Sequence, residues 1–455
     1  MTTSLAGQRI GVLGLARSGF AAARLALARG ADVYASDAGD GEAVRRAATE
    51  VRAAGGDAET GGHDREKLAA CDRVVVSPGI PHDVPILREA GVGRDRLLSE
   101  VDLALEQLDV PLAAVTGTNG KTTVTALLAH LLEQAGMDAP AAGNIGTPLC
   151  EVALREEAPD AVALEISSFQ LGLTDRLAPT VGVLTNLAPD HLDRYPNVEV
   201  YYADKQRLFR NAGPGSVWVV NGEDDAVSAM VEGLPGRRFL FRVRSEPAEE
   251  EKGGWVAGEE LRLRLDSGEE RLVSRGELLI LGLHNAANAL AAAVTARLMG
   301  ADLASVRDGL RTFGAQPHRL EVVAETGGVR WVNDSKATNI ASARVAVQSM
   351  DRPTILLMGG HPKGEPYAEL VPDLSGRVRT VIAFGEAGPE IARALGGTAR
   401  VEQVDGGLAA AVTRAHELAE RGDAVLLAPA CSSYDEFENF EHRGETFTRL
   451  ARGEA

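Results

Sequence analysis

Residues 113–136, AAVTGTNGKTTVTALLAHLLEQAG, decide the fold class. The aliphatic residues 113–115 end a buried strand, and 116–121 form a tight glycine loop. Behind Thr122 the apolar residues Val124, Leu127, Leu128, Leu131 and Leu132 recur at the i, i+3, i+4, i+7, i+8 spacing of an amphipathic helix. Gly136 marks its C-terminal stop. Strand, glycine loop and helix together are the context a phosphate-binding loop needs. Gly117 and Gly120 let backbone N–H groups approach phosphate oxygens, and the helix N-terminus adds partial positive charge. Lys121 then reaches the β- and γ-phosphates, and the Thr122 hydroxyl holds Mg²⁺. The spacing is G-x-x-G-K-T, with Val115 where the first glycine of G-x-x-x-x-G-K-[ST] would stand. The alternative is a glycine-rich turn with a surface lysine, and the strand and helix flanks argue against it.

The chain has 455 residues, a formal charge of −18, 45% hydrophobic residues and only 4% aromatic ones. That length suits two to four domains. Aliphatic strand runs alternating with Ala/Leu-rich helices indicate α/β architecture. The negative balance argues against a nucleic-acid partner, since such domains are usually basic, and otherwise serves solubility. Anionic ligands must therefore be held by local Lys and Arg, backbone donors and Mg²⁺. Cys71, Cys150 and Cys431 are widely spaced and form neither a metal-ligand pattern nor a disulfide framework, as expected in a reducing cytosol. MTTSLAGQRI has no basic n-region and no apolar h-region, so no signal peptide is expected. No segment approaches 18 continuous apolar residues, so no membrane span is expected either.

Along the chain, a strand at 9–13, a turn at 14–18, a helix through Arg29 and a strand at 32–36 open the first unit. Gly11, Gly14 and Gly19 do not fall in the G-x-G-x-x-G spacing of a dinucleotide fingerprint. Asp37 follows the second strand, where it could meet a ribose hydroxyl or serve as a cap. Residues 72–77 form another strand, ending in a turn with two prolines (Ser77, Pro78, Gly79, Ile80, Pro81). Residues 99–110 carry the chain into a second unit. Further strands fall at 161–165 and 181–186, then a polar two-stranded region at 239–273 with its loop at 245–254, and an Ala-rich helix at 284–299. From Arg319 a third unit resumes the βαβ rhythm, with strands at 329–332, 354–358, 380–384 and 424–428.

Three clusters could carry chemistry. Glu165 ends a strand in ALEISSFQ, and ligands collect at the carboxyl ends of parallel strands. There it could hold Mg²⁺ or cap a helix. Residues 186–195, NLAPDHLDRY, place Asp190, His191 and Asp193 in one loop after a strand. No companion His/Cys set suggests zinc. The loop suits Mg²⁺ or phosphate, or His191 is structural. Residues 333–339, NDSKATN, suit an anionic or nucleotide ligand, or Asp334 or Ser335 is an ordinary N-cap.

Together these segments resemble the Mur ligase family, the ATP-dependent enzymes that build the peptide of peptidoglycan, and within it the D-glutamate-adding branch. The resemblance covers essentially the whole chain. It rests on 117–123 (GTNGKTT), 143–148 (GNIGTP), 165–170 (EISSFQ), 186–195 (NLAPDHLDRY), 283–288 (LHNAAN), 317–319 (PHR), 333–339 (NDSKATN) and 430–444 (ACSSYDEFENFEHRG). It implies three α/β domains: a Rossmann-like domain at 1–106 that binds the UDP substrate, a central P-loop ATPase-like domain at 107–314 with a mostly parallel sheet, and a Rossmann-like amino-acid-binding domain at 315–455. The active site is expected between them, assembled by domain closure.

The implied reaction phosphorylates the L-alanyl carboxylate of UDP-N-acetylmuramoyl-L-alanine with ATP. The amine of D-glutamate then attacks the acyl phosphate. Phosphoryl transfer of this kind needs positioning and charge neutralisation more than covalent chemistry. By resemblance, Gly117, Thr118, Asn119, Gly120, Lys121, Thr122 and Thr123 cradle the triphosphate. Thr122 and Glu165 serve one Mg²⁺, and His191 and a carbamylated Lys205 serve a second. The residues alone make Lys205 a surface helix lysine; only the resemblance makes it a carbamate. Asn285, Asn288, Arg319 and Asp334 are implied on the adenine and ribose side of ATP. Leu15, Ala16, Asp37, Ser77, Pro78 and Gly79 are implied at the UDP end, with Asn144 beside the reacting centre. Lys336, Thr338, Lys363, Ser433 and Phe440 are implied to hold D-glutamate, whose two carboxylates suit a cationic clamp. A cytoplasmic monomer is expected. The rival readings are an alanine-adding or folylpolyglutamate-type ligase, against which residues 430–444 argue, and a non-catalytic nucleotide-binding regulator, which gives Lys121, Glu165, His191 and Lys205 no reason to coexist. A nicotinamide dehydrogenase is disfavoured by the glycine spacing of 8–37.

Overall fold

A computed structural model of the chain describes residues 4–191, 194–315 and 317–454. It packs as two compact units, Met1–Ser274 with Ala287–Leu310, and Arg275–Ala286 with Arg311–Ala455. Three sheets organise them, all mixed with helices, as the α/β reading expects.

The first unit holds two sheets. In the first, β1 (Arg9–Leu13), β2 (Asp32–Asp37), β3 (Asp57–Thr60), β4 (Arg73–Val76) and β5 (Leu97–Leu98) run parallel in the order β3-β2-β1-β4-β5. Runs such as RIGVL and RVVV are apolar almost throughout because parallel strands are covered on both faces. The helix Arg17–Ala28 begins inside the predicted turn, at Arg17, and buries Ala21, Ala22, Ala23, Leu25 and Ala26.

The second sheet contains β6 (Leu112–Thr116), β7 (Ala141–Gly143), β8 (Val162–Glu165), β9 (Val181–Leu184), β10 (Val217–Asn221), β11 (Arg237–Arg242), β12 (Gly253–Ala257), β13 (Glu260–Leu265) and β14 (Gly268–Ser274), in the order β14-β13-β12-β11-β10-β9-β6-β8-β7. The pairs from β7 to β12 are parallel, and β12-β13-β14 is an antiparallel meander. The predicted two-stranded region at 239–273 is thus four strands. In ELRLRL the buried Leu261, Leu263 and Leu265 alternate with arginines, the period-two pattern of a half-buried strand.

The two sheets are fastened through the helix Glu100–Leu105. Ser99 caps it by accepting from Asp102 N. Ser99 N donates to Leu173 O at 2.9 Å, and Asp102 Oδ1 accepts from the amides of Asp175 and Arg176 at 2.9 and 2.8 Å. The aliphatic core runs continuously from Leu5 and Ile10 to Leu164, Leu184 and Trp218.

In the second unit, β15 (Glu321–Thr326), β16 (Val329–Asn333), β17 (Thr354–Gly359), β18 (Val378–Phe384), β19 (Val401–Gln403) and β20 (Ala424–Leu427) form a sheet in the order β15-β16-β20-β17-β18-β19, parallel except for β15. The edge strands β15 and β19 are additions to the sequence reading. Both are half-exposed and lack the aliphatic run that marks β17 and β20.

Candidate active site

The glycine loop after β6 is built as its residues dictate. Gly117 has φ 146°, and a Cβ there would run into Thr185 Oγ1; Gly120 has φ 83°, and its Cβ position is occupied by Asn288 Oδ1. Only glycine supports both the positive φ and the close approach. The loop is braced from the β9 side. Thr118 N donates to Asn186 O at 2.9 Å, Asn119 N to Asn186 Oδ1 at 2.8 Å, and Thr185 Oγ1 to Asn119 O at 2.6 Å. The helix Lys121–Gln134 starts at Gly120 with no side-chain cap and no acidic residue in its first turn. Its N-terminal amides, with half-exposed Thr122 and Thr123 on them, are the kind of donors an anion would need. Lys121 is not the surface lysine that the glycine-turn alternative describes. It is half-buried, and its Nζ donates to Gly117 O at 3.0 Å and Thr118 O at 2.7 Å. Burial lowers its pKa against the pull of Glu165 and Asp190.

Lys205 corrects the residue-only reading more sharply. It lies in the helix Val198–Gln206 but is 1% exposed. Its Nζ donates to Gly117 O at 2.6 Å and lies 4.6 Å from the Tyr201 ring centroid. Burial, then the nearby Lys121 charge, push its pKa down to about 7. Nine helical residues with no strong apolar stripe gave no sign of which face is covered. The cover comes from the glycine loop and from a cluster of aromatic rings.

Its members Phe169, Arg194 and Tyr195 stand in the quoted motifs but were given no role. Phe169 stacks on Tyr195 with centroids 5.3 Å apart, Tyr195 lies 5.3 Å from Tyr201, and the Arg194 guanidinium sits 4.0 Å over Phe169. Tyr201 Oη pairs with Thr118 Oγ1 at 3.2 Å. His191 joins the same cluster, 5.1 Å from Phe169 and 6.0 Å from Tyr201, with a backbone φ of 53°. Asp190 Oδ1 accepts the His191 amide at 2.8 Å. Leu192 and Asp193 lie outside the described residues.

Glu165 sits at the carboxyl end of β8, in register with Val115 of β6 and Gly143 of β7. It is not a helix cap; Ser167 caps the helix Ser168–Leu171 in a capping box with Gln170. Asn144 Nδ2 donates to Glu165 Oε1 at 2.7 Å, while Oε2 is buried without a partner among the described residues. A buried, half-satisfied carboxylate is costly unless it serves a ligand. Among the described residues no group of three or more His, Cys, Asp or Glu gathers as a metal cluster, so any cation here draws on mixed donors.

At the carboxyl edge of the first sheet, Asp37 Oδ2 accepts the Leu15 amide at 2.7 Å and Oδ1 accepts Gly39 N at 2.7 Å. Ser77 Oγ donates to Gly14 O at 3.0 Å, and Ile80 N to Ser77 O at 2.9 Å, closing the turn around Pro78 and Gly79. Ala16 precedes the helix Arg17–Ala28 with no side-chain cap. These six predicted residues therefore lie together at the carboxyl ends of the adjacent strands β1, β2 and β4. Arg194 Nη1 reaches Pro78 O at 3.4 Å, and Arg17 bonds Gly146 O in the loop that carries Asn144.

In the second unit, the alternative of an N-cap at Asp334 or Ser335 is not realised: the next helix, Ile340–Gln348, is capped by Asn339, whose side chain accepts from Ser342 N. Asp334 is 9% exposed, and burial raises its pKa to about 7 against a Leu320 amide and Arg319. His318 and Leu320, on either side of Arg319, have φ of 61° and 46°. The Lys336 amine lies 4.9 Å over the Phe440 ring, and burial lowers its pKa, with Arg319 adding repulsion. Lys363 Nζ donates to Thr338 Oγ1 at 3.3 Å, and Ser433 is buried. Asn285 Nδ2 donates to Leu281 O at 2.8 Å in this unit, whereas Asn288, a turn later in the helix Leu283–Leu298, packs on Gly120 in the first.

Comparison with known proteins matches residues 8–94 to the Mur ligase MurD-like N-terminal domain, 115–296 to the Mur ligase middle domain, and 318–431 to the Mur ligase glutamate ligase domain. The UDP-N-acetylmuramoylalanine--D-glutamate ligase of Myxococcus xanthus is 42% identical over 99% of both chains. That of Salinibacter ruber is 41% identical over 97% of both. A pseudomurein peptide ligase type C from Methanothermus fervidus shares the fold, with a TM-score of 0.56 and 20% identity over 92% of this chain and 96% of that one.

Proposed function

The chain belongs to the Mur ligase family, and from that premise we propose how its residues work: it is an ATP-dependent ligase that joins D-glutamate to UDP-N-acetylmuramoyl-L-alanine through an acyl phosphate, in peptidoglycan precursor synthesis. One observation carries the assignment of roles. An uncapped helix N-terminus behind Gly120 stands beside two lysines on one carbonyl and beside a buried carboxylate oxygen with no partner. This is a site for a polyphosphate and its counter-charges.

A carboxylate is a poor electrophile, so the L-alanyl carboxylate is first phosphorylated. We assign residues 117–123 to the triphosphate, with Lys121 leaving its carbonyl acceptors to meet phosphate oxygens. Asn288 against Gly120 fixes the loop's far side. Mg²⁺, when bound, would neutralise phosphate charge; Thr122 and Glu165 supply oxygen donors, and the unpartnered Glu165 Oε2 fits that use. As an ammonium Lys205 repels a cation, so with His191 it fits a second Mg²⁺ only as its carbamate. A pKa near 7 supplies the neutral amine that carbamate formation needs. Asn144, held by Glu165, is assigned to the acceptor end, and Leu15, Ala16, Asp37, Ser77, Pro78 and Gly79 to the UDP moiety. Asn285, Arg319 and Asp334 are assigned to the nucleoside of ATP. Lys336, Thr338, Lys363, Ser433 and Phe440 are assigned to D-glutamate, whose amine attacks the acyl phosphate and releases phosphate.

We divide the chain functionally at 106/107 and 314/315. A cytoplasmic monomer is proposed: the substrates are a nucleotide sugar, ATP and an amino acid, the three cysteines are buried and free, and among the described residues no helix is long and apolar enough to cross a membrane. The test is phosphate release from ATP with UDP-N-acetylmuramoyl-L-alanine and one candidate amino acid at a time. Release that depends on D-glutamate supports the reading; release that depends on another amino acid overturns it.

A further inference from the structure

Arg443 is 1% exposed, among the largest fully buried side chains of the protein. Its guanidinium has five N–H bonds, and each finds an oxygen. Nε donates to Ser335 Oγ at 3.0 Å, Nη1 to Cys431 O at 3.2 Å and Ser432 O at 3.0 Å, and Nη2 to Ser335 O at 2.9 Å and Cys431 O at 3.2 Å. Among the described residues no carboxylate pairs with it. Burial draws its pKa down to about 10, so it stays charged at neutral pH. A buried, unpaired charge is expensive, and a core held only for stability would be served better by an apolar residue.

The acceptors explain its retention. Ser335 follows β16 and precedes Lys336. Cys431 and Ser432 follow β20 and precede Ser433. The loop after β17 joins through His361, whose amide donates to Ser432 O at 2.9 Å and whose carbonyl accepts from Ser432 N at 3.1 Å. At Gly360 a Cβ would lie 3.0 Å from Arg443 Nη1. Ser335 Oγ in turn donates to Phe440 O at 2.8 Å, at the start of the helix that carries Arg443. The strands β16, β20 and β17 are adjacent and parallel, so one side chain ties together the loops at three neighbouring carboxyl ends.

We propose that Arg443 is a positioning residue for the amino-acid substrate: its guanidinium locks the loop bearing Lys336 to the loop bearing Ser433, so that the cation and hydroxyl are set before D-glutamate arrives. This rests on the assignment of Lys336, Ser433 and Phe440 to D-glutamate. Its charge, in direct contact with no carboxylate among the described residues and only partly offset by Asp435 and Glu436, also favours a dianionic amino acid nearby.

The experiment compares full-length Arg443→Lys and Ser335→Ala with the unsubstituted enzyme. Ser335→Ala removes the Nε acceptor and keeps the charge, so it carries the test if Arg443→Lys does not fold. Steady-state phosphate release gives KM for each substrate. Borohydride trapping of the acyl phosphate, without D-glutamate, reads the first half-reaction alone. The expected result is a KM for D-glutamate raised about tenfold or more, the size of a lost charge-assisted hydrogen bond, with KM for ATP and the UDP substrate and the trapping yield within about twofold. Folded variants with an unmoved D-glutamate KM, or with trapping lost in step, overturn the proposal while leaving the ligase reading intact. If the unsubstituted enzyme itself releases no phosphate with D-glutamate, the ligase reading fails first, and the positioning role with it.

Discussion

Lys121 and Lys205 converge on one acceptor: both amines donate to the carbonyl of Gly117, at 3.0 and 2.6 Å. Two ammonium groups cannot share a buried carbonyl without cost, because burial and mutual repulsion both disfavour charge. The more deeply placed Lys205 yields, with its pKa at about 7. Lys121 keeps the partial support of Glu165 and Asp190. A polyphosphate would draw Lys121 off the carbonyl, and a carbamate on Lys205 would replace repulsion with attraction. The strain of the pair thus points to the two changes the proposed chemistry requires.

Carbamate formation on Lys205 should follow the neutral fraction of its amine. With carbon-13-labelled bicarbonate, a carbamate NMR signal is expected that grows from pH 6 to pH 8 and vanishes in Lys205→Ala. A folded Lys205→Ala enzyme with undiminished turnover would show that no carbamate is needed.

The same group sets a pH dependence of stability. In the unfolded chain an ordinary lysine keeps its proton to about pH 10, whereas in the fold Lys205 gives it up near 7. Between those values the unfolded state binds more protons, so this group's contribution to stability improves as pH rises, and its penalty is complete below about 7. Lys205→Met should therefore raise the melting temperature at pH 6, by about 2–4 °C for each kcal/mol recovered. The gain should shrink toward pH 9. A gain that is constant with pH would assign the effect to packing instead.

Lys121→Ala should keep its melting temperature and lose turnover by roughly 10²–10³, the loss typical of one preorganised charge contact. Activity within about threefold of the unsubstituted enzyme would move the phosphate site elsewhere.

How much of this was legible in the sequence differs by scale. The strand, glycine loop and helix were legible because their information is local: two glycines at positive φ, a preceding aliphatic strand and a following stripe of leucines. The observed helix start at Lys121 and Gly136 at φ 80° agree with them. Lys205 was not legible from its own neighbours, because what buries it arrives from residues 117–118 and 169–201. The alternative reading of Asp334 or Ser335 as an N-cap fails for a related reason. Asp334 and Ser335 are both good capping types, but each is engaged elsewhere, and the helix starts only at Ile340. Arg443 sat unremarked in a quoted motif, since nothing local distinguishes a buried guanidinium from an exposed one.

Glu165→Gln isolates the charge of the carboxylate from its packing. A glutamine oxygen can still accept from Asn144 Nδ2, which now bonds Glu165 Oε1 at 2.7 Å, so the melting temperature should hold. The amide that replaces Oε2 brings a donor where a cation needs an acceptor. Turnover should fall, and the Mg²⁺ concentration for half-maximal activity should rise by about tenfold or more. A Mg²⁺ titration that overlays that of the unsubstituted enzyme would remove Glu165 from the metal site.

Substrate choice tests the second unit. Lys336 over Phe440 and Lys363 on Thr338 supply two cations, a hydroxyl and an apolar wall, with buried Ser433 on the adjoining loop. A site built to pair a side-chain carboxylate rejects amino acids that lack one, because its donors would be left buried and unpaired. With ATP and UDP-N-acetylmuramoyl-L-alanine present, D-glutamate should therefore drive phosphate release far better than L-alanine or L-lysine. Burial lowers the Lys336 pKa, and a bound carboxylate would raise it again, so D-glutamate binding should weaken as pH climbs toward the lysine range. Lys336→Ala should raise the D-glutamate requirement and lower kcat together, because a displaced amine no longer meets the acyl phosphate in a near-attack geometry. A preference for L-alanine with UDP-N-acetylmuramate, or for diaminopimelate with a dipeptide acceptor, would reassign the chain within its family and leave the acyl-phosphate chemistry standing.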